Sequence, residues 1–196
     1  MAFANPLRSP LGRLLAACTL LLAAVGAQAQ VVKLATSQGD IRIELDAEKA
    51  PKTVANFLQY VKAGHYNGVV FHRVIGNFMV QTGGYDAKLN QRPTKPPIPL
   101  ESHNGLSNLR GTVAMARTND PNSATSQFFI NVVDNFFLDG QPDNPATGYA
   151  VFGQVVDGME VVDKIRAAET TSSGMHQNLP VKPIIITKAV IEAPKK

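Results

Sequence analysis

The chain has 196 residues, of which 44% are apolar and 17% are charged, with 15 glycines and 13 prolines. This composition is typical of a compact globular protein and excludes a disordered or fibrous chain, and the length suits a single domain. The formal net charge is only +4, and the basic residues are scattered rather than gathered in a stripe interleaved with aromatic side chains. Nothing in the sequence therefore indicates a nucleic-acid partner.

Residues 1–29 have the pattern of a secretory signal peptide. A basic start precedes an apolar run over residues 14–25, and the small-x-small motif Ala27-Gln28-Ala29 predicts cleavage after Ala29. The apolar run is about 12 residues long, whereas a membrane-spanning helix needs roughly 20. We therefore expect an exported protein without stable membrane insertion, whose single domain comprises residues 30–196.

Cys18 leaves an alternative open for the processing of this segment. Leu15-Ala16-Ala17-Cys18 resembles a bacterial lipoprotein box, in which cleavage would leave a lipidated Cys18 at the new N-terminus. Such a box follows the apolar run, however, whereas Cys18 lies inside it. Cys18 is also the single cysteine of the chain. Cleavage after Ala29 would remove it, so we expect no disulfide, no thiol nucleophile and no cysteine-bound metal.

The spacing of apolar residues after the signal peptide predicts mainly β structure with two helices. Alternating apolar residues predict a hairpin over residues 32–45, and a helical spacing predicts a helix that begins near Pro51 and ends at Gly64. A second helix is predicted over residues 158–168. This combination favours a β-barrel capped by two helices, which leaves no free sheet edge. Further strands are expected within residues 68–81, 111–115, 127–133, 149–156 and 181–191, and loops over residues 86–105, 117–125 and 139–148.

Familiar hydrolase and phosphate-binding motifs are missing from the sequence: it contains no G-x-S-x-G, no H-E-x-x-H and no G-x-x-x-x-G-K-[ST]. Two clusters instead combine polar and large apolar side chains. Because alternate residues of a strand share a face, we expect Met79 and Gln81 to project together, and likewise Phe71 and Arg73. From spacing alone, each Phe or Met of the clusters would be interpreted as a core residue, and Arg73 as a surface or ion-paired residue. Spacing does not decide between these interpretations and a functional site. The clusters cover residues 71–81 and 126–131.

The order of these motifs resembles the cyclophilin family over residues 32–191. The resemblance implies an eight-stranded antiparallel barrel with a helix at each end, and prolyl cis/trans isomerase activity without a cofactor or metal. The export signal, together with Phe137 and Tyr149, makes the chain most similar to the periplasmic bacterial branch. Flexible or unfolded exported proteins that contain proline would then be the substrates. The motifs are the two clusters, Met115-Ala116-Arg117, Phe137-Leu138-Asp139-Gly140 and Val151-Phe152-Gly153.

The resemblance also implies roles for individual residues. Arg73 corresponds to the family's catalytic arginine. The chain departs from the family in its longer loop over residues 141–148, and in Phe137 and Tyr149, where many relatives have Trp and His. The proline pocket corresponds to Phe78, Met79, Phe129 and Leu138, the neighbouring peptide-binding positions to Gln81, Ala116, Arg117 and Gln127, and the rim to Phe137 and Tyr149.

The residue types suit this chemistry. The barrier to rotation about an X-Pro bond, about 18–20 kcal/mol, comes from amide resonance, so no bond needs to break. Arg73 can lower it by donating to the prolyl nitrogen as the amide twists. Since no proton is transferred, we expect His72 to be structural, and we expect His65, His103 and His176 on the surface. A chaperone module that binds proline-containing segments with little turnover is the alternative.

Two further expectations concern partners. Phe137 lacks the indole N–H donor that a Trp would supply at the rim, so we expect weak cyclosporin binding. A monomer is the default expectation.

Overall fold

The described part of the chain in this computed structural model comprises residue 1 and residues 30–193, so the predicted signal peptide lies outside it except for Met1. Its strands form one curled sheet and one separate hairpin, and every pairing is antiparallel. The elements are β1 (Val31–Thr36), β2 (Gly39–Leu45), α1 (Pro51–Lys62), β3 (Val69–Val70), β4 (Arg73–Ile75), β5 (Met79–Thr82), β6 (Thr112–Met115), β7 (Phe128–Asn131), a 3₁₀ turn (Phe136–Leu138), β8 (Val151–Asp157), α2 (Met159–Arg166), β9 (Thr170–Ser173), β10 (His176–Pro180) and β11 (Ile185–Ile191).

The large sheet runs in the order β3-β11-β1-β2-β8-β6-β7-β5-β4, so its two end strands are neighbours in sequence. Only Phe71 and His72 separate them. The Phe71 N–H donates to the Ile184 carbonyl beside β11, and the His72 N–H donates to the Gln81 carbonyl in β5. β3 and β4 are thus two halves of one bent strand that joins the ends of the sheet. Counted in this way, the sheet is the predicted eight-stranded antiparallel barrel, and both predicted helices are present.

The bend at Phe71 and His72 corrects one sequence-based expectation. Phe71 packs in the main core inside the barrel, together with Val74. Arg73 lies on the outer face, so Phe71 and Arg73 do not share a face. The regular alternation of a strand is interrupted where the chain passes from β3 to β4.

Helix α1 closes one end of the barrel and depends on a distant residue for its start. Ala50 at the N-cap position offers no side-chain acceptor. The Glu101 carboxylate, from the loop over residues 86–105, accepts the N–H groups of Lys52 and Thr53 and the Thr53 hydroxyl, the last at 2.7 Å. A carboxylate at this position satisfies free N–H groups and interacts favourably with the helix dipole. The long loop is therefore anchored to the barrel.

The structure differs from the sequence-based predictions in three further respects. The β9–β10 hairpin was not predicted, because β9 is exposed throughout and shows no apolar alternation. β11 begins at Ile185, later than predicted. His65 and His176 are half-buried rather than surface histidines, and the His65 ring packs against Tyr60 and Tyr66.

Within the described residues, no helix is long and apolar enough to cross a membrane.

The interior of the barrel is organised around Phe57 of α1. Its side chain is fully buried, and its ring centre lies 5.3 Å from those of Tyr66 and Phe128 and 5.1 Å from that of Phe152. These four rings connect the helix to the sheet wall. Aromatic pairs at such separations add to the stability that burial alone provides.

We predict that Phe57→Ala lowers the free energy of unfolding by about 3–5 kcal/mol, because it removes a buried ring and leaves a cavity. Urea denaturation followed by circular dichroism measures this change. Phe136→Ala is the matched control, since Phe136 is 61% exposed and its replacement should change stability by no more than about 0.5 kcal/mol. Equal effects of the two substitutions would contradict the assignment of Phe57 to the centre of the core.

Candidate active site

The candidate site lies on the outer face of the barrel, where strand pairing sets polar and apolar residues side by side. Arg73 in β4 is opposite Gln81 in β5, and Gln81 is opposite Phe129 in β7. Phe129 is in turn opposite Ala114 in β6. Directly opposed residues of neighbouring strands project to the same face. The sheet register therefore places the guanidinium, the amide and the aromatic ring in one row.

A second apolar cluster, separate from the barrel interior, forms the floor of the site. Its most exposed member, Leu138, is still only 8% exposed, although the cluster lies on the outside of the sheet. Phe78 and Tyr149 pack against its edges. Its buried members are Met79, Ala114, Phe129, Leu138 and Val151. A closely packed outer face of this kind provides an apolar recess beside the charged group of Arg73.

The recess is a cavity of about 200 Å³. Nine of the residues singled out by sequence line it, and the expectation that Met79 and Gln81 share a face is confirmed. Gln127 and Phe137 are not in the lining. Gln127 accepts a hydrogen bond from Gln81 of the lining, and Phe137 stacks on Phe78 at the rim, 5.5 Å between ring centres. The lining residues are Arg73, Phe78, Met79, Gln81, Ala116, Arg117, Phe129, Leu138 and Tyr149.

The Arg73 guanidinium is oriented by side-chain amides. Arg73 Nη1 donates to Gln81 Oε1 at 3.4 Å, and Gln81 Nε2 donates to Gln127 Oε1 at 3.0 Å. The same Nη1 also lies 4.0 Å from Met79 Sδ. Among the described residues, Nη1 is the only nitrogen of this guanidinium that makes a hydrogen bond. Arginine has five N–H donors in a rigid fork, so the remaining ones are available to a bound molecule.

A group of three asparagines holds the opposite wall, and sequence analysis did not identify it. Asn135 Nδ2 donates to Asn131 Oδ1 at 2.8 Å and to the Phe78 carbonyl at 2.9 Å. Asn108 Nδ2 donates to the Leu138 carbonyl at 3.2 Å. All three asparagines are buried, and buried amides with satisfied hydrogen bonds fix local geometry. They set the position of the 3₁₀ turn that carries Phe137 and Leu138.

Little in the sequence indicated that these three asparagines would form a hydrogen-bond network. Polar residues next to apolar strand ends are usually assigned to loops, and their partners here are 4 to 57 residues away in sequence.

His72 lies next to Arg73 in sequence and is only 5% exposed. Burial lowers the pKa of its imidazole to about 4, and the nearby His176 contributes. The ring packs edge-on against Tyr85 at 4.8 Å. Within the described chain, its Nδ1 has no hydrogen-bond partner. His72 is therefore neutral near pH 7 and adds no second charge beside Arg73.

The described residues contain no group of three or more His, Cys, Asp or Glu side chains that could hold a metal ion. The cavity itself presents the two guanidinium groups of Arg73 and Arg117, the amide of Gln81 and an apolar floor. Such a surface suits a ligand with a compact apolar ring and polar backbone groups.

Known proteins are similar to this chain in sequence. A family model described as "Cyclophilin type peptidyl-prolyl cis-trans isomerase/CLD" matches residues 31–191. "Peptidyl-prolyl cis-trans isomerase A" of Dickeya dadantii is 57% identical over 161 residues, which are 82% of this chain and 83% of that protein. "Peptidyl-prolyl cis-trans isomerase B" of Escherichia coli is 52% identical over 162 residues, 82% of this chain and 99% of that protein.

Solved structures agree with the sequence comparison. A cyclophilin-type isomerase of Cryptosporidium parvum, crystallised in the presence of the dipeptide Ala-Pro, superposes with a TM-score of 0.70 at 28% identity. The match covers 84% of this chain and 99% of that one. Since the family model spans most of the chain and the relatives exceed half identity, this chain belongs to the cyclophilin family and is a peptidyl-prolyl cis-trans isomerase.

Proposed function

We propose that this isomerase acts on X-Pro bonds of exported proteins in the periplasm, with Arg73 as the catalytic residue and the apolar recess as the proline pocket. The observation that carries the proposal is the position of the Arg73 guanidinium, beside a recess for an apolar ring and without a carboxylate partner among the described residues.

The proposed mechanism is stabilisation of the twisted amide without covalent chemistry. Resonance holds the X-Pro amide planar, and twisting it localises the nitrogen lone pair. A donor aimed at that nitrogen interacts more strongly with the twisted form than with either planar isomer, so it lowers the barrier. Arg73 supplies this donor, and its contacts with Gln81 and Met79 hold the guanidinium at the edge of the recess.

The remaining residues hold the substrate during rotation. Met79, Phe129 and Leu138 enclose the proline ring, and burial of its methylene groups contributes binding free energy, about 0.8 kcal/mol for each CH₂. Gln81, itself held by Gln127, faces the peptide backbone on the same side as Arg73. Fixing one side of the bond confines the rotation to the other side.

The Cryptosporidium parvum structure with Ala-Pro supports a proline-containing ligand for this fold. Here the equivalent ligand would be a flexible chain segment rather than a free dipeptide, because the recess is open along the outer face of the sheet.

We predict that Arg73→Ala reduces kcat/KM for a proline-containing test peptide by about 10²- to 10³-fold, as expected when one transition-state donor is lost. Peptide binding, measured by calorimetry, should be largely retained. Arg73→Lys should also be impaired, since lysine lacks the planar fork. The assay uses residues 30–196 with EDTA present throughout, and the wild-type acceleration should survive the chelator.

Arg166→Ala is the matched control, because Arg166 is ion-paired with Asp163 outside the cavity, and it should retain wild-type turnover. Full turnover by Arg73→Ala would contradict the assigned role. Peptide binding by folded wild type without acceleration would favour the chaperone alternative instead.

Export is tested through processing of the N-terminus. When the full chain is expressed in a Gram-negative bacterium, mass spectrometry of the periplasmic fraction should detect a protein that begins at Gln30. Leu21→Arg interrupts the apolar run and should retain the chain in the cytoplasm. An intact cytoplasmic wild-type product would contradict export, and a membrane-bound product that begins with a lipidated Cys18 would identify the lipoprotein alternative.

A substitution at the rim of the cavity tests the prediction about cyclosporin affinity. Phe137 is 74% exposed and stacks on Phe78, but it carries no hydrogen-bond donor. We predict weak cyclosporin binding by wild type and tighter binding by Phe137→Trp, because the indole N–H supplies a donor. Fluorescence titration measures the affinity. Phe136→Trp, the neighbouring exposed position, is the control and should not tighten binding, and an unchanged affinity of Phe137→Trp would refute the explanation.

A further inference from the structure

The cavity carries two positive charges and no negative charge among its lining residues. Arg73 and Arg117 line it together with seven uncharged residues. In the part of the chain that the structure describes, neither guanidinium lies within 4.0 Å of a carboxylate. Arg73 has a part in the proposed mechanism. The Arg117 side chain has none, so its charge requires a separate explanation.

Arg117 is held in place by neutral groups. Its Nε donates to the Gly148 carbonyl at 2.9 Å, and its Nη1 donates to the Thr118 carbonyl at 2.9 Å. The guanidinium carbon lies 4.9 Å from the centre of the Tyr149 ring. Carbonyls and an aromatic face orient a cation, but they carry no net charge that could cancel it. The positive charge therefore persists at the wall of the cavity.

Three arginines outside the cavity form ion pairs with carboxylates. Arg42 pairs with Asp157 and Glu192, Arg110 pairs with Asp163, and Arg166 also pairs with Asp163. Arg92, outside the cavity, makes no ion pair within the described chain but donates to the His65 carbonyl at 2.7 Å. Ion pairing is thus usual but not universal for the arginines outside the cavity, and both arginines of the cavity lack it.

The loop over residues 141–148 provides the carbonyl that holds Arg117. Gly148 has φ +79°, and a Cβ at this position would collide with the Gly140 nitrogen. Only glycine fits such a close approach. The loop therefore closes tightly on itself and presents the Gly148 carbonyl to the guanidinium.

We propose that Arg117 makes the enzyme select substrate segments that carry a glutamate or aspartate close to the isomerised proline. The inference rests on the proposed function, since it requires that an X-Pro segment occupies the cavity. A carboxylate near the proline would meet a fixed cation that has no competing acidic partner. Partly exposed ion pairs contribute modest free energies, so we expect a preference of about three- to fivefold.

The test compares peptides that differ only by Glu or Gln at one position, scanned over the two residues on each side of the proline. Glu and Gln have the same shape, so the ratio of their kcat/KM values reports charge alone. At low salt the ratio should reach about three- to fivefold for at least one position. In 0.5 M NaCl, where the Debye length is about 4 Å, it should fall below about twofold.

Variants assign the preference to one side chain. Arg117→Gln should reduce the ratio to about one, and Arg117→Lys should retain most of it, because the charge remains. Lys62→Gln is the matched control: it removes the same charge from the exposed end of α1 and should leave the ratio unchanged.

The outcomes separate this inference from the proposed function. Turnover of the Gln peptides reports isomerase activity, whereas the ratio reports selectivity. A ratio near one at every position would overturn the inference, as would a ratio that persists in 0.5 M NaCl or in Arg117→Gln. If Arg117→Gln were inactive toward all the peptides, the salt dependence of the wild-type ratio and the behaviour of Arg117→Lys would decide.

Discussion

The pairing of β4, β5 and β7 is the constraint on which the site depends. It sets Arg73 opposite Gln81, and Gln81 opposite Phe129. Because side chains alternate along a strand, a slip of one residue would turn Arg73 into the barrel and Val74 out of it. Both faces of this part of the sheet are packed: Val74 belongs to the interior core, and Met79 belongs to the outer apolar cluster. The register is therefore specified from two sides, and the position of Arg73, the proposed catalytic residue, follows from ordinary packing.

An apolar cluster on the outside of a barrel needs a cover, and the chain after β7 provides one. The 3₁₀ turn places Leu138 over the cluster and leaves Phe137 at the rim. Buried asparagines hold this turn to the neighbouring strands with their hydrogen bonds satisfied. Such a network fixes the walls of the recess before a substrate arrives, so less ordering is needed when the substrate binds.

The sequence predicted those parts that depend on local pattern. The hairpin of β1 and β2, the helix that starts at Pro51 and a helix-capped barrel follow from apolar spacing, whereas the count of eight strands came from the family resemblance. The bend at Phe71, the cap that Glu101 supplies to α1 and the asparagine network do not, because each joins groups far apart in the chain or breaks a regular period. Nine residues predicted for the site line one cavity, and their assignment came from the family resemblance, since spacing alone could not separate Met79 from a core residue.

Several features around the cavity would be unfavourable in a purely structural surface. His72, next to Arg73 in sequence, is buried with an unpaired Nδ1, the two guanidinium groups of the cavity lack acidic partners within the described chain, and Phe137 is largely exposed. Such departures from local rules tend to gather where a protein binds another molecule. They are also mutually consistent. A neutral His72 avoids a further positive charge beside Arg73, and the exposed ring extends the apolar floor outward. A substrate that carries a proline ring and a nearby carboxylate would cover the exposed apolar surface and also neutralise part of the positive charge. Within the described chain, no other group does either.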